Sequence, residues 1–214
     1  MARRPRARNK RDLSRRQPMR PPYPRVLIVC EGAKTEVSYF EEIRQKSRIP
    51  SVNVRVIHSP LGQEPKQIIE GAEQEFGKTK AFEKVYAVFD RDAHLTYANA
   101  IVMAEARDNR FKNDEKRLVG FKAIVSVPSF EFWLLLHFAD IKAALHRNAA
   151  LQELKKYLPE YRKGMKGIFQ CTEANLEIAI ERAKALKATS FRLPGNDAYT
   201  DVHELVISLR NLKK

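Results

Sequence analysis

Val85-Tyr86-Ala87-Val88-Phe89-Asp90-Arg91-Asp92 is an apolar run that ends in two carboxylates one residue apart, and Arg25-Val26-Leu27-Ile28-Val29-Cys30-Glu31-Gly32 echoes it upstream. Each reads as a buried strand that delivers an acid at its C-terminal end, the edge where open α/β sheets bind ligands and metals. Working outward, short β-rich runs at about 25–30, 52–58, 84–90 and 121–127 alternate with segments of helical period. That alternation signals βαβ units, and the expected fold is α/β, a Rossmann-type, mainly parallel central sheet of about four strands flanked by helices, with a helical C-terminal part.

The helices follow from local signals. Thr35 to Ile43 opens with an N-cap candidate and an acidic first turn, and places Val37, Phe40 and Ile43 on one face. Ile68, Ile69, Ala72 and Phe76 mark a second helix after Pro65, and a third is expected from about Tyr97 to Arg107. Ser129-Phe130-Glu131-Phe132-Trp133-Leu134-Leu135-Leu136-His137-Phe138 is too apolar all round for a surface helix and reads as buried core, not as a cofactor site. Segments at about 149–158, 172–188 and 201–212 complete a helical extension over about 140–214.

In the doubly wound strand order 2-1-3-4 the first and third strands are neighbours, and the topological switch point lies between them. Glu31 then meets Asp90 and Asp92 across that crevice, although about 60 residues separate them in the chain. Carboxylates packed together repel and raise one another's pKa unless a cation joins them. Mg²⁺ (or Mn²⁺) takes oxygen ligands and keeps several waters, so two or three such acids and a substrate phosphate suffice. An isolated Asp-x-Asp is often an ordinary turn; the companion Glu31-Gly32 after the first strand favours the metal.

Glu131 carries two readings: a fourth metal ligand, since a carboxylate amid Phe130, Phe132 and Trp133 needs a partner, or a helix N-terminal residue held by free amides. Lys34, just ahead of a helix, either joins backbone N–H groups around a phosphate or is solvated. Tyr161-Arg162-Lys163-Gly164-Met165-Lys166-Gly167 is either a basic loop that tracks a nucleic-acid backbone and stacks a base on Tyr161, or an ordinary surface loop. Arg91 completes the candidate nucleic-acid contacts with Lys34, Arg162, Lys163 and Lys166. His94, His137 and His203 read as polar packing rather than catalysis.

The formal net charge is +14 over 214 residues, and the first 24 hold eight Arg, one Lys and one Asp, so this tail supplies +8 and leaves +6 for the rest. With Pro5, Pro18, Pro21, Pro22 and Pro24 and few apolar residues, segment 1–24 is expected to be disordered, as a nucleic-acid arm or a solvated leader. Residues 25–214 then form one principal domain. Cys30 and Cys171 lack metal-ligand spacing, and Cys30 suits a reduced buried thiol, so a cytoplasmic location is expected. No run approaches ~18 apolar residues and no apolar segment follows the N-terminal arginines, so no membrane span or secretory signal is expected.

Val29-Cys30-Glu31-Gly32 with Thr35-Glu36, and Asp90-Arg91-Asp92, resemble the Glu and Asp-x-Asp motifs of the Toprim fold of topoisomerases, bacterial primases and OLD-family nucleases. More closely, Cys30 to Glu36, Phe89 to Asp92, Pro128 to Leu134 and Tyr199-Thr200-Asp201-Val202-His203-Glu204-Leu205 resemble the RloB-like family, over about residues 25 to 210. One departure is Val127, which stands where family members often carry Asn. The resemblance implies a Toprim-type metal-dependent nuclease in bacterial anti-phage defence, with Asp90 and Asp92 as metal-binding pair and Glu31 acting on metal or as acid/base. It also implies an ATPase partner of AAA or ABC type, and the chain itself shows no G-x-x-x-x-G-K-[ST] pattern. The competing expectation is a non-catalytic nucleic-acid-binding or ATPase-partner module of the same shape.

Overall fold

The computed structural model describes residues 23–92, 94–189 and 198–213. The tail read over 1–24 lies outside the described residues apart from Tyr23 and Pro24. Five strands form the sheet among the described residues: Val26–Cys30 (β1), Val54–His58 (β2), Lys84–Asp90 (β3), Gly120–Val127 (β4) and Tyr199–Thr200 (β5). Their order is β2-β1-β3-β4-β5. The first four are parallel, as the alternation of strands and helices predicts, and β5 adds an antiparallel edge beside β4. The expected four strands are therefore joined by a fifth, in a segment too short to show a period.

Alternate strand residues feed two cores. Val26, Ile28, Cys30, Tyr86, Val88 and Ile124 face one side, and Leu27, Val29, Val85, Ala87, Phe89 and Val125 face the other. The second face is covered by Pro65–Thr79 (α2) and Tyr97–Arg107 (α3), through Ile68, Ile69, Ala72, Phe76, Ala100 and Ile101. Pro65 occupies the first turn of α2, where its missing N–H costs nothing, and Glu64 with Gln67 forms a capping box.

The first face carries Thr35–Lys46 (α1), Phe130–Leu135 (α4), Arg147–Tyr157 (α5), Ile168–Thr172 (α6), Leu176–Thr189 (α7) and Val202–Arg210 (α8). The C-terminal helices thus share the core of α1 and the sheet. In α1 the buried stripe is Thr35, Tyr39, Phe40 and Ile43, with Val37 only partly covered, because the helix is turned to bring Tyr39 inward. There the Trp133 indole N–H donates to the Tyr39 hydroxyl at 2.9 Å, and Tyr39 meets Phe40, Phe130 and Phe169 edge-on. Every residue of α4 is buried, as its all-round apolarity predicts. Cys30 is buried and Cys171 exposed, both as free thiols. No helix among the described residues is long and apolar enough to cross a membrane.

Candidate active site

The parallel register carries the chemistry to one edge. Cys30 pairs with Val88, and the next N–H, that of Glu31, donates to the Val88 carbonyl at 2.8 Å. Glu31 therefore leaves the sheet directly beside the end of β3. Its carboxylate oxygen Oε2 accepts the backbone N–H of Asp90 at 2.9 Å. On the other side Asp90 pairs with Ser126 of β4, and the Arg91 N–H donates to the Ser126 carbonyl at 2.9 Å. Strand order 2-1-3 makes this the switch point, where the helices after β1 and β3 lie on opposite faces and leave a crevice.

The crevice holds about 310 Å³ and is lined by the acids Glu31, Glu36, Asp90 and Glu131, and by the cations Lys34, Arg147 and Lys163. Asp90 is 6 % exposed. Burial raises its pKa well above the usual carboxylate value, and the charges of Glu31, Glu36 and Glu131 push it further the same way. Burial also raises Glu31, against the Asp90 N–H, His94, Arg147 and Lys163, which favour its ionised form. Glu36 is pushed up to about 7 by burial and then by Glu31 and Glu131. The part of the Asp90 and Glu36 elevation that comes from neighbouring carboxylates is what a shared cation relieves.

Glu36 sits on the first turn of α1, and its carboxylate folds back over Gly32: a Cβ built on Gly32 would fall 2.1 Å from Glu36 Oε2. In the sequence Glu36 stands out only as an acid in a first helical turn; the Glu31-Gly32 pair five and four residues before it is the available signal. Arg147 was also missed. It opens α5 and ion-pairs with Asp92, and no local pattern marks it.

The predicted residues divide as follows. Glu31, Asp90 and Glu131 share the crevice, whereas Asp92, at a backbone φ of +37°, turns its carboxylate to Arg147. Glu131 is held by the Ser129 hydroxyl at 2.7 Å and the Tyr161 hydroxyl at 3.2 Å. Lys34 and Lys163 line the crevice, Arg162 is exposed, and Arg91 is partly buried between the aspartates. Lys166 faces a different groove, of about 710 Å³, between α1 and α6. Tyr161 is 2 % exposed, so the reading of its ring as a base-stacking platform is corrected: the ring packs inward and the hydroxyl serves Glu131. His94 lies at the rim, with Nδ1 3.2 Å from Glu64 and Nε2 3.9 Å from Glu31.

The donor set is oxygen-only and anionic, which suits Mg²⁺ or Mn²⁺ and not a soft metal. Among the described residues, no three Asp, Glu, His or Cys side chains converge on one point closely enough to hold an ion by themselves. Mg²⁺ does not need three, because one or two carboxylates with waters and substrate phosphate complete its shell.

A doubly wound sheet with carboxylates and cations gathered at its switch point defines a Rossmann-like α/β protein with an acid-lined crevice. The profile of the RloB-like protein family matches residues 26–209, and the chain belongs to that family. Neither the curated proteins nor the solved structures compared with it include a match.

Proposed function

We propose that this protein is a metal-dependent nuclease of Toprim type that hydrolyses phosphodiester bonds of nucleic acid. The observation that carries this reading is the meeting of Glu31, Glu36 and Asp90 in one crevice rimmed by Lys34, Arg147 and Lys163. Acids alone would repel a nucleic-acid backbone; acids ringed by cations suit an ion and a phosphate together.

Glu31, Glu36 and Asp90 would hold Mg²⁺ or Mn²⁺, while Asp92 pairs with Arg147. When bound, the ion supplies charge neutralisation at the phosphoryl group and a water of lowered pKa. The chain's own residues supply the rest. The Asp90 N–H fixes the Glu31 carboxylate in orientation. Lys34, Lys163 and the Arg147 guanidinium, held by Asp92, offer positive charge to phosphate oxygens on the crevice rim. The family resemblance extends the proposal to bacterial anti-phage defence with an AAA- or ABC-type ATPase partner.

A second reading draws on the pairing of Asp92 with Arg147 and the absence, among the described residues, of three converged ligands. In it the chain is a non-catalytic nucleic-acid-binding or ATPase-partner module. Incubation of plasmid DNA, single-stranded DNA and total tRNA with Mg²⁺, Mn²⁺ or EDTA, using wild type, Glu31→Gln and Asp90→Asn, separates the two. Cleavage that needs metal and is lost in both variants supports the nuclease. Binding without cleavage, with and without the ATPase partner, supports the module.

A further inference from the structure

The basic loop 161–167 runs along α1 from Thr35 to Glu42 and is fastened at its start, middle and end. At its start the buried Tyr161 donates its hydroxyl to Glu131 Oε1 at 3.2 Å. In the middle the Gly164 N–H donates to Thr35 Oγ1 at 2.9 Å. At the end the N–H groups of Gly167 and Phe169 donate to the two oxygens of Glu42, at 2.7 and 2.8 Å. Gly164 has φ +79°, and a Cβ there would lie 2.9 Å from Lys34 Cβ, so the loop backbone rests directly on the Lys34 side chain.

Glu131 is the anchor of this arrangement. It is 3 % exposed, its Oε2 takes the Ser129 hydroxyl at 2.7 Å, and its Oε1 takes Tyr161 and lies 3.8 Å from the Lys163 ammonium. Each oxygen therefore has one hydroxyl donor, which fixes the carboxylate's orientation and ties it to the start of the loop. Lys163 lines the crevice with about half of its side chain exposed, so its ammonium stands at the rim where a phosphate can reach it.

We infer that Glu131 is a positioning residue and not a metal ligand: through Tyr161 it fastens the 161–167 loop so that Lys163, beside Lys34, meets a backbone phosphate of bound nucleic acid. The inference rests on the nuclease reading for the identity of its ligand; the loop geometry stands without it. The loop is thus a fixed clamp for one phosphate, built from the motif Pro128 to Leu134 on one side and the basic loop on the other.

The test uses full-length wild type, Tyr161→Phe, Glu131→Gln and Lys163→Ala. Tyr161→Phe removes one hydroxyl and leaves the buried ring, so it keeps the inference testable should Glu131→Gln fail to fold. A fluorescein-labelled oligonucleotide of the class that wild type binds best is titrated in Ca²⁺, Mn²⁺ affinity is measured by calorimetry, and KM and kcat are measured on the same oligonucleotide in Mg²⁺. Each variant is expected to weaken oligonucleotide binding, and raise KM, by about tenfold, with kcat and Mn²⁺ affinity within about twofold of wild type. Tyr161→Phe combined with Lys163→Ala is expected to cost little more than Lys163→Ala alone, since both act on one contact. A tenfold loss of Mn²⁺ affinity in Glu131→Gln, or unchanged oligonucleotide binding in Tyr161→Phe and Lys163→Ala, overturns the inference. Should wild type bind but not cleave, the nuclease reading fails on that result, and the binding and Mn²⁺ measurements decide the clamp by the same criteria.

Discussion

Glu31 Oε2 accepts the backbone N–H of Asp90 at 2.9 Å, so the acid that ends the first strand is tied to the acid that ends the third. The bond spans 59 residues of sequence and exists because β1 and β3 are parallel neighbours in register. It makes the carboxylate pair a property of the sheet and not of a mobile loop, and the expected consequences follow from that.

Asp90→Asn removes a buried charge that faces three other carboxylates. In EDTA at pH 8 the variant is expected to melt above wild type, because the substitution relieves the burial and mutual repulsion of that carboxylate. Mn²⁺ should raise the melting temperature of wild type but not of the variant. A variant that melts lower than wild type in EDTA would mean that Asp90 is stabilised by groups other than a cation.

Gly32→Ala places a methyl group where Glu36 Oε2 lies, at a position whose backbone needs no left-handed conformation. The flexible carboxylate moves aside, so stability should change by less than about 1 kcal/mol. Metal-dependent cleavage should fall about tenfold or more, because Glu36 leaves the crevice. Full activity in Gly32→Ala would remove Glu36 from the site.

Arg147→Ala cuts the ion pair with Asp92, whose partners are both about one-third exposed. Such a pair contributes about 0–1 kcal/mol, so the melting temperature should barely move. Nucleic-acid affinity should drop, and the slope of log K against log salt should become shallower by about one unit. An unchanged slope would show that the guanidinium serves Asp92 alone.

His137 is buried, its Nδ1 lies 3.1 Å from the Trp133 carbonyl, and burial lowers its pKa to about 4. The folded state keeps His137 neutral while the unfolded chain takes up a proton below about pH 6.5, so its contribution to stability is lost as pH falls from 6.5 towards 4. The full loss is about 3 kcal/mol. Glu36, with its pKa raised to about 7, shifts stability the opposite way over the same range, so only a difference isolates His137. Urea unfolding of wild type and His137→Gln at pH 7 and pH 5 should show the gap between them narrowing at pH 5. A constant gap would contradict a neutral buried imidazole.

Strands β1 and β3 were legible because each carries a continuous apolar run, β2 and β4 because they are β-rich although broken by Arg55 and Lys122, and the acids after β1 and β3 could be aligned once the strand order was assumed. β5 has two residues and α6 five, too few for any period to register. Glu31 and Asp90 were legible as neighbours for the same reason as the sheet. Glu36 was not, because its role depends on a side chain folding back over Gly32 and not on spacing. Arg147 reaches Asp92 only through the packing of α5 against α4, which no local signal encodes. Tyr161 misled because its basic neighbours hide that its hydroxyl completes the shell of a buried carboxylate.

The central claim is that the crevice between β1 and β3 holds a divalent cation through Glu31 and Asp90. Calorimetric titration of Mn²⁺ into wild type and into Asp90→Asn, at pH 7.5 without nucleic acid, addresses it most directly. The account predicts saturable binding in wild type that falls at least tenfold in the variant. Equal binding by both proteins would contradict it.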